Sequence, residues 1–363
     1  MYVPRASQGL HIPRIRLPLL PLVAVVAAVA AWGALTIRPI GHEPALPQPI
    51  ATGIHTLAYF ERAPGADVLT VRRATGASVA EPVAMFPRYL EFGARGSASP
   101  TGGTVAVLSV GERPTSPATL TLVPMESGEP RAVAGEYGYL SPLAWSADGS
   151  RLGVLGFSAG GDAPVLVEVD VASAAIVSAS RFESALEVAP VGFAPGGRGM
   201  LAVVVDAGGS SLWSVRGGDA QHVADLSPGL TRDWALSADG ARLAFVERLG
   251  VGGRRYAGRV LTLATGTVQR VPGEGDQFGA VWQPGTQVAE FGGPGGSLRL
   301  ADGGTGYIVP RAWSPDGTTL VAAVFPGDVP GAEAELQVIH TDEWRMPLGS
   351  NSATFIGWVR DRE

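Results

Sequence analysis

The sequence predicts an all-β fold, a β-propeller of seven four-stranded blades, and three observations carry that reading. The first is a recurring phrase: Trp145-Ser146-Ala147-Asp148-Gly149, Leu236-Ser237-Ala238-Asp239-Gly240 and Trp313-Ser314-Pro315-Asp316-Gly317, each followed by an apolar run. The second is its period. Looser copies at Ser99-Pro100-Thr101-Gly102, Ala194-Pro195-Gly196-Gly197 and Gln283-Pro284-Gly285 give glycine-to-glycine steps of 47, 48, 43, 45 and 32 residues. A period in the forties with several short strands per unit marks propeller architecture. The third is that the two ends of the chain carry complementary fragments of one further unit.

The phrase has a mechanical explanation. Pro or Ala presets a corner, Asp bonds the backbone of its own turn, and Gly supplies positive φ. Flanked by apolar strands, it closes the hairpin between the first two strands of a blade. Asp148, Asp239 and Asp316, with Gly149, Gly240 and Gly317, are therefore assigned to turns rather than to catalysis or metal binding.

The clearest unit reads as strands at 230–236, 242–247, 258–263 and 267–271, separated by turn residues. Six such units run from about residue 89 to about residue 349. Upstream, Thr56–Glu61 and Val68–Arg72 resemble a second and a third strand with no first. Downstream, Thr354–Val359 resembles a first strand with nothing after it, and Trp358 lies 45 residues beyond Trp313. Pairing the terminal strand with the N-terminal ones completes a blade and closes the ring, leaving no open seam. Six and eight blades are the alternatives, because the 270–317 unit is short.

Composition narrows the function. The roughly 310 residues after residue 50 suit one propeller. Fifty glycines and 29 prolines fit a turn-dense β protein, and a net charge of −6 without a basic stripe argues against nucleic-acid binding. The absence of cysteine excludes disulfides and a lipid anchor on Cys. All 27 basic residues are Arg, which excludes a Walker phosphate loop, a Schiff base and a Ser-Lys dyad. No cofactor is implied.

The N-terminus predicts a membrane anchor. Residues 17–37 form a run of 21 without a charge, preceded by Arg5, Arg14 and Arg16. That length crosses a bilayer as a helix, and the arginines place the N-terminal side inside. The expected organisation is a short cytoplasmic segment at 1–16, a signal-anchor at 17–37, a Pro-rich spacer at 38–53 and the propeller at 54–363. A signal peptide cleaved after Ala28-Val29-Ala30 is the competing reading. Both place the propeller outside the cytoplasm of a bacterial cell, and the uncleaved anchor makes it a single-pass membrane protein.

Chemistry-bearing motifs are sparse. Gly156-Phe157-Ser158-Ala159-Gly160 matches the nucleophile elbow of α/β-hydrolases, but an elbow needs a strand running into a helix. Here Ser158 leads from one strand-like run into another. The five histidines have no mutual ligand spacing, and no calcium loop is present. What remains is the axial mouth where the innermost strands begin. On the predicted strands it carries Tyr139, Glu187, Arg232, Asp233, Asp276, Gln277 and Arg311, a convergent polar set suited to a ligand or peptide.

The Trp-Ser-x-Asp-Gly-x-x-Leu units resemble the TolB-type, WD40-like propeller repeats of bacterial envelope proteins, over roughly residues 54–361. TolB itself carries an α/β domain before its propeller, where this sequence has a Pro-rich spacer of about 16 residues. The resemblance implies a propeller that binds an envelope protein or peptide, acting as a scaffold and not as an enzyme. The alternative is an exported lactonase- or cyclase-like enzyme with its active site at the mouth. Such an enzyme requires Glu187, Asp233 and Asp276 to converge within metal-ligand distance.

Overall fold

The computed structural model describes residues 53–74, 78–88, 92–110, 118–135, 137–158, 163–197, 199–250, 255–286, 288–300, 306–327, 333–342, 344–349 and 352–361. The anchor at 17–37 and its spacer lie outside the described residues. Among the described residues no helix is long and apolar enough to cross a membrane.

Among the described residues, twenty-six strands alternate with turns. The first three are β1 (Thr56–Ala63), β2 (Ala66–Arg73) and β3 (Glu81–Pro87). The second blade is β4 (Arg95–Ala98), β5 (Thr104–Ser109), β6 (Thr119–Pro124) and β7 (Arg131–Ala132). The third is β8 (Tyr137–Trp145), β9 (Arg151–Ser158), β10 (Val165–Asp170) and β11 (Ala175–Arg181). The fourth is β12 (Glu187–Phe193), β13 (Met200–Asp206), β14 (Gly209–Arg216) and β15 (Asp219–Ser227). The fifth is β16 (Thr231–Leu236), β17 (Arg242–Leu249), β18 (Arg255–Thr262) and β19 (Thr267–Arg270). A two-stranded sheet follows, β20 (Phe278–Trp282) and β21 (Ala289–Gly292). The sixth blade is β22 (Tyr307–Trp313), β23 (Thr319–Phe325), β24 (Glu335–His340) and β25 (Arg345–Pro347). The last strand, β26 (Thr354–Val359), pairs antiparallel with β1, so the first blade has the order β26-β1-β2-β3.

The expected seven four-stranded blades are therefore corrected to six. The 270–317 segment contributes only the two-stranded sheet, and the reason is its backbone chemistry. After β21 the chain runs Gly293-Pro294-Gly295-Gly296, a sequence that folds back tightly instead of forming a third strand. The Gly295 amide donates to the Asp276 carbonyl at 2.9 Å, and the Leu298 amide donates to the Phe291 carbonyl at 3.0 Å. Leu298 and Leu300 then pack on Ile308, Leu320 and Ala322 of the sixth blade. Two leucines on a folded-back loop thus cover the apolar face that two outer strands would have covered.

The first strand of each sheet lies innermost. In ring order, β26 contacts β4, then β8, β12, β16, β20 and β22 follow, each touching the next. Apolar side chains fill the space between successive sheets. Leu120 and Leu122 of the second blade meet Leu152, Val154 and Val167 of the third, and Val203 and Leu212 of the fourth meet Leu243 and Phe245 of the fifth. The ring closes where Val321, Val338 and Leu348 of the sixth blade meet Leu57, Tyr59 and Trp358 of the first.

Tryptophans stitch neighbouring sheets. The Trp282 indole N–H donates to the Ala235 carbonyl at 2.9 Å, and that of Trp313 donates to Glu290 Oε2 at 2.8 Å. Burial pushes the Glu290 carboxyl above its ordinary range, with the Trp313 hydrogen bond opposing.

The two-stranded sheet supplies a stability prediction. A methyl group at Gly292 would overlap the Ile308 carbonyl oxygen and approach Pro310 Cδ at 2.7 Å. Gly292→Ala is expected to lower stability by about 3 kcal/mol, the upper end for overpacking a tight site. A fall in the urea midpoint at constant m-value checks this, and an unchanged midpoint contradicts it.

Candidate functional site

Inner strands begin at one end of the ring and finish at the Ser-x-Asp-Gly turns on the other, so each end is a distinct surface. At the turn end the three Asp residues act on their own backbone. The Ser146 hydroxyl donates to Asp148 Oδ1 at 2.6 Å, and the Ser150 amide donates to the same oxygen at 3.0 Å. Asp239 accepts from the Ser237 hydroxyl and the Ala241 amide, and Asp316 from the Ser314 and Thr318 hydroxyls and the Thr318 amide. Gly149, Gly240 and Gly317 have φ of 71°, 66° and 72°, the left-handed region that Gly adopts without strain.

These bonds hold all three carboxyls below the ordinary range. For Asp148 the Ser146 hydroxyl is the main cause. For Asp239 and Asp316 burial is the largest single influence and raises the pKa, but the hydrogen bonds together outweigh it.

Turns of the third, fourth and fifth blades wall a cleft with a volume of about 880 Å³. Trp145, Phe193 and Leu236 line it together with Asp148, Asp239 and the loop 194–196. Its outer side is formed by Val177, 48 % exposed on β11, and by Arg216. Charges here are largely engaged. Arg151 lies 4.0 Å from Glu168 and 3.6 Å from Asp170, and the Ser178 hydroxyl donates to Glu168 Oε2 at 3.2 Å. The surface left for a ligand is apolar side chain and turn backbone, with the exposed Arg216 at its edge. That combination, in a volume within the range of ligand clefts, suits a peptide segment.

Of the seven residues predicted to form the mouth, Arg311 lies instead in the bulge of β22, two residues before the strand ends at Trp313, and the other six, at the opposite end, divide. Tyr139 is 2 % exposed, packed in the core between the second and third blades, and burial raises its phenol pKa, with Tyr137 adding to the rise. Gln277 is 1 % exposed, accepting from the Gly258 amide at 2.7 Å and donating to the Pro272 carbonyl at 3.3 Å. Asp276 accepts from the Tyr256 amide at 2.8 Å. Asp233 adopts φ of 53° in a bulge of β16, its Oδ2 accepting from the Gly279 amide of the neighbouring sheet at 2.9 Å and its Oδ1 from Arg232 Nε at 3.1 Å. Glu187, Arg232 and Arg311 are exposed.

The reason for the division is that strand starts are where sheets are joined. A polar residue there meets unpaired backbone groups before it meets solvent. Among the described residues no three His, Asp or Glu side chains converge to hold a metal ion, so Glu187, Asp233 and Asp276 do not form the set a metal-dependent mouth requires. Ser158 closes β9, its hydroxyl accepts from Arg181 Nη2 at 3.2 Å, and β10 pairs back onto β9. It sits on a hairpin and not on an elbow.

No protein-family model and no curated sequence matches the chain. Solved structures of similar fold do. TolB from Acinetobacter baumannii is 18% identical over 98% of this chain and 75% of its own, with a TM-score of 0.52. The β-propeller domain of the Trilobed protease from Pyrococcus furiosus is 12% identical over 82% of this chain and 99% of its own, with a TM-score of 0.53. An acylaminoacyl peptidase bound to Z-Gly-Gly-Phe-chloromethyl ketone is 13% identical over 84% of this chain and 54% of its own, with a TM-score of 0.51.

At these identities the likeness shows the fold: a β-propeller, with a TolB protein among its structural neighbours. The Pyrococcus furiosus domain is described as having an open velcro topology, whereas here β26 closes on β1. The expectation that the chain is not an enzyme is corrected. Propellers of a protease and a peptidase share this fold, so nothing in the architecture excludes an enzymatic role.

The turn carboxylates yield a pH prediction. A carboxyl whose pKa is lowered on folding stabilises the protein above about pH 4, where the unfolded chain's Asp is already ionised. That contribution disappears as pH falls through the lowered folded-state value. The melting temperature is expected to drop steeply between about pH 4 and pH 2. In the Asp148→Asn, Asp239→Asn double variant the neutral-pH value falls and the acid limb flattens. Calorimetric scans across that range test this, and an unaltered acid limb contradicts it.

Proposed function

We propose that the chain is a membrane-tethered β-propeller outside the cytoplasm that binds a protein or peptide of the cell envelope. The observation that carries this reading is the cleft of about 880 Å³ at the turn end. Its carboxylates are held by their own turns, which leaves Trp145, Phe193, Leu236 and Val177 as an apolar surface framed by rigid backbone. A pre-formed frame loses little entropy when a partner segment docks, and apolar side chains between fixed turns supply the contact area. The tether is supported by the 21-residue uncharged run and by the arginines before it. The likeness to TolB structures extends to the fold and is consistent with a binding role at the envelope.

Photo-crosslinking tests the binding surface directly. A photoreactive residue at Val177 of the full chain is expected to capture one envelope protein, whereas the same residue at Glu187, at the far end of the inner strands, captures none. Val177→Asp, placed in an otherwise unmodified competitor chain, should lose its ability to suppress that adduct by about tenfold, the effect of a 1.4 kcal/mol loss. Adducts of equal yield from both ends, or from neither, overturn the assignment of the cleft. The tether has its own readout: after an alkaline carbonate wash the full chain stays in the membrane pellet, and residues 54–363 expressed alone do not.

A further inference from the structure

The cleft at the turn end has a chemical direction. Its inner side carries Asp148 and Asp239, at turns that join first and second strands. Its outer side carries Arg216, at the turn that joins the third and fourth strands of the fourth blade. Two strand spacings, about 10 Å, separate an inner turn from an outer one. The carboxyls of Asp148 and Asp239 lie below the ordinary range, so both keep their negative charge at neutral pH.

Arg216 differs from the other arginine of the cleft. Arg151 faces Glu168 and Asp170, whereas the exposed Arg216 guanidinium makes no ion pair or hydrogen bond among the described residues. The turn that carries it is open and fixed. Gly217 and Gly218 have φ of 58° and 98°, and a Cβ at Gly217 would meet nothing within 4 Å. The Ser180 hydroxyl donates to the Gly218 carbonyl at 2.9 Å, which ties this turn to β11 of the third blade. On β11 the ladder with β10 passes from Val169↔Ile176 to Glu168↔Ser178, so Val177 is the extra residue of a bulge. A bulge re-aims a side chain, and this one leaves Val177 exposed on the cleft wall.

We propose that Arg216 sets the direction in which a partner's peptide segment lies in the cleft, by pairing with a carboxylate that the segment presents at the outer edge. The inference rests on the cleft being the binding surface. A guanidinium receives a carboxylate through two parallel N–H donors. The inner side repels the same group, because two ionised carboxylates stand there at fixed positions. A segment entering with its carboxylate inward meets that repulsion and leaves Arg216 unpaired. One entering the other way satisfies Arg216 and lays the next three residues, about 10 Å of extended chain, across Val177, Phe193 and Leu236. A C-terminal carboxylate and an Asp or Glu side chain are the two sources of that group.

Affinity selection with the full chain tests the role of Arg216. The probes are two synthetic libraries of N-acetylated octapeptides of random sequence, one with free C-terminal carboxylates and one amidated, recovered and sequenced by mass spectrometry. The parent chain is expected to enrich peptides bearing a carboxylate, and Val177→Asp to enrich none of them. Enrichment confined to the free-acid library identifies the C-terminus as the source. Asp or Glu at a constant position in both libraries identifies a side chain. For the most enriched peptide, resynthesised, Arg216→Gln should weaken binding about tenfold and Arg216→Lys less, whereas Arg270→Gln, exposed on β19 of the fifth blade, should leave it unchanged. Because the Arg216 side chain holds nothing in the fold, melting temperatures of its variants should match the parent. Enriched peptides that Val177→Asp retains, or none enriched at all, overturn the cleft as a binding surface and this inference with it. Enrichment that Val177→Asp abolishes, but without a carboxylate or with equal affinity for Arg216→Gln, overturns the role of Arg216 and leaves the cleft standing.

Discussion

A ring of sheets is held by the contact between its two ends, and here that contact is one strand. β26 contributes Trp358 and Val359 to the core and pairs with β1 through a ladder that runs from Thr56↔Val359 to Phe60↔Thr354. Without it, the first blade would lose its innermost strand and β1 would present an unpaired edge towards the channel. The closure is reinforced by side chains from both neighbours. Ile356 packs in the cluster shared with the second blade, and Trp358 in the cluster shared with the sixth. The Arg360 amide donates to the Gly102 carbonyl at 3.0 Å, and the Thr56 hydroxyl to Asp361 Oδ1 at 2.6 Å. Blade-to-blade packing elsewhere in the ring depends on this strand, because each interface is supported only if both its neighbours stay in place.

The same economy governs the turns. Ser-x-Asp-Gly closes a hairpin using groups within six residues: hydroxyl to carboxylate, amide to carboxylate, and the Arg151 amide to Ser146 Oγ at 2.9 Å. A turn satisfied internally needs nothing from its surroundings, so it can project beyond the sheets and still stay rigid. Two such turns, on the third and fifth blades, flank the Ala194-Pro195-Gly196-Gly197 turn of the fourth and wall the cleft. The carboxylates that catch the eye in the sequence are engaged by their own turns, and their neighbours Trp145 and Leu236 line the cleft.

Legibility followed the range of the interaction. The turns, the strand Thr354–Val359 and its pairing with the N-terminal strands could be read from sequence because turn chemistry and alternation are local signals. Blade number could not, because whether residues 293–300 make an outer strand or a folded-back loop depends on the tight approach of Gly292 to Ile308 and on Leu298 reaching the sixth blade. The mouth was half legible. Most strand starts were placed near enough, though β22 begins at Tyr307 and carries Arg311 towards its far end; burial of Tyr139 and the capture of Gln277 by Gly258 and Pro272 depend on neighbours distant in sequence.

Two ends of one ring thus differ in chemistry for a topological reason. At the turn end the carboxylates of Asp148, Asp239 and Asp316 stay ionised but spend their acceptor sites on their own hairpins. At the opposite end the chain passes from the outer strand of one blade to the inner strand of the next, so polar side chains from separate blades are brought together without a local partner. Some, like Asp233 and Asp276, are taken up by the backbone of the adjoining sheet.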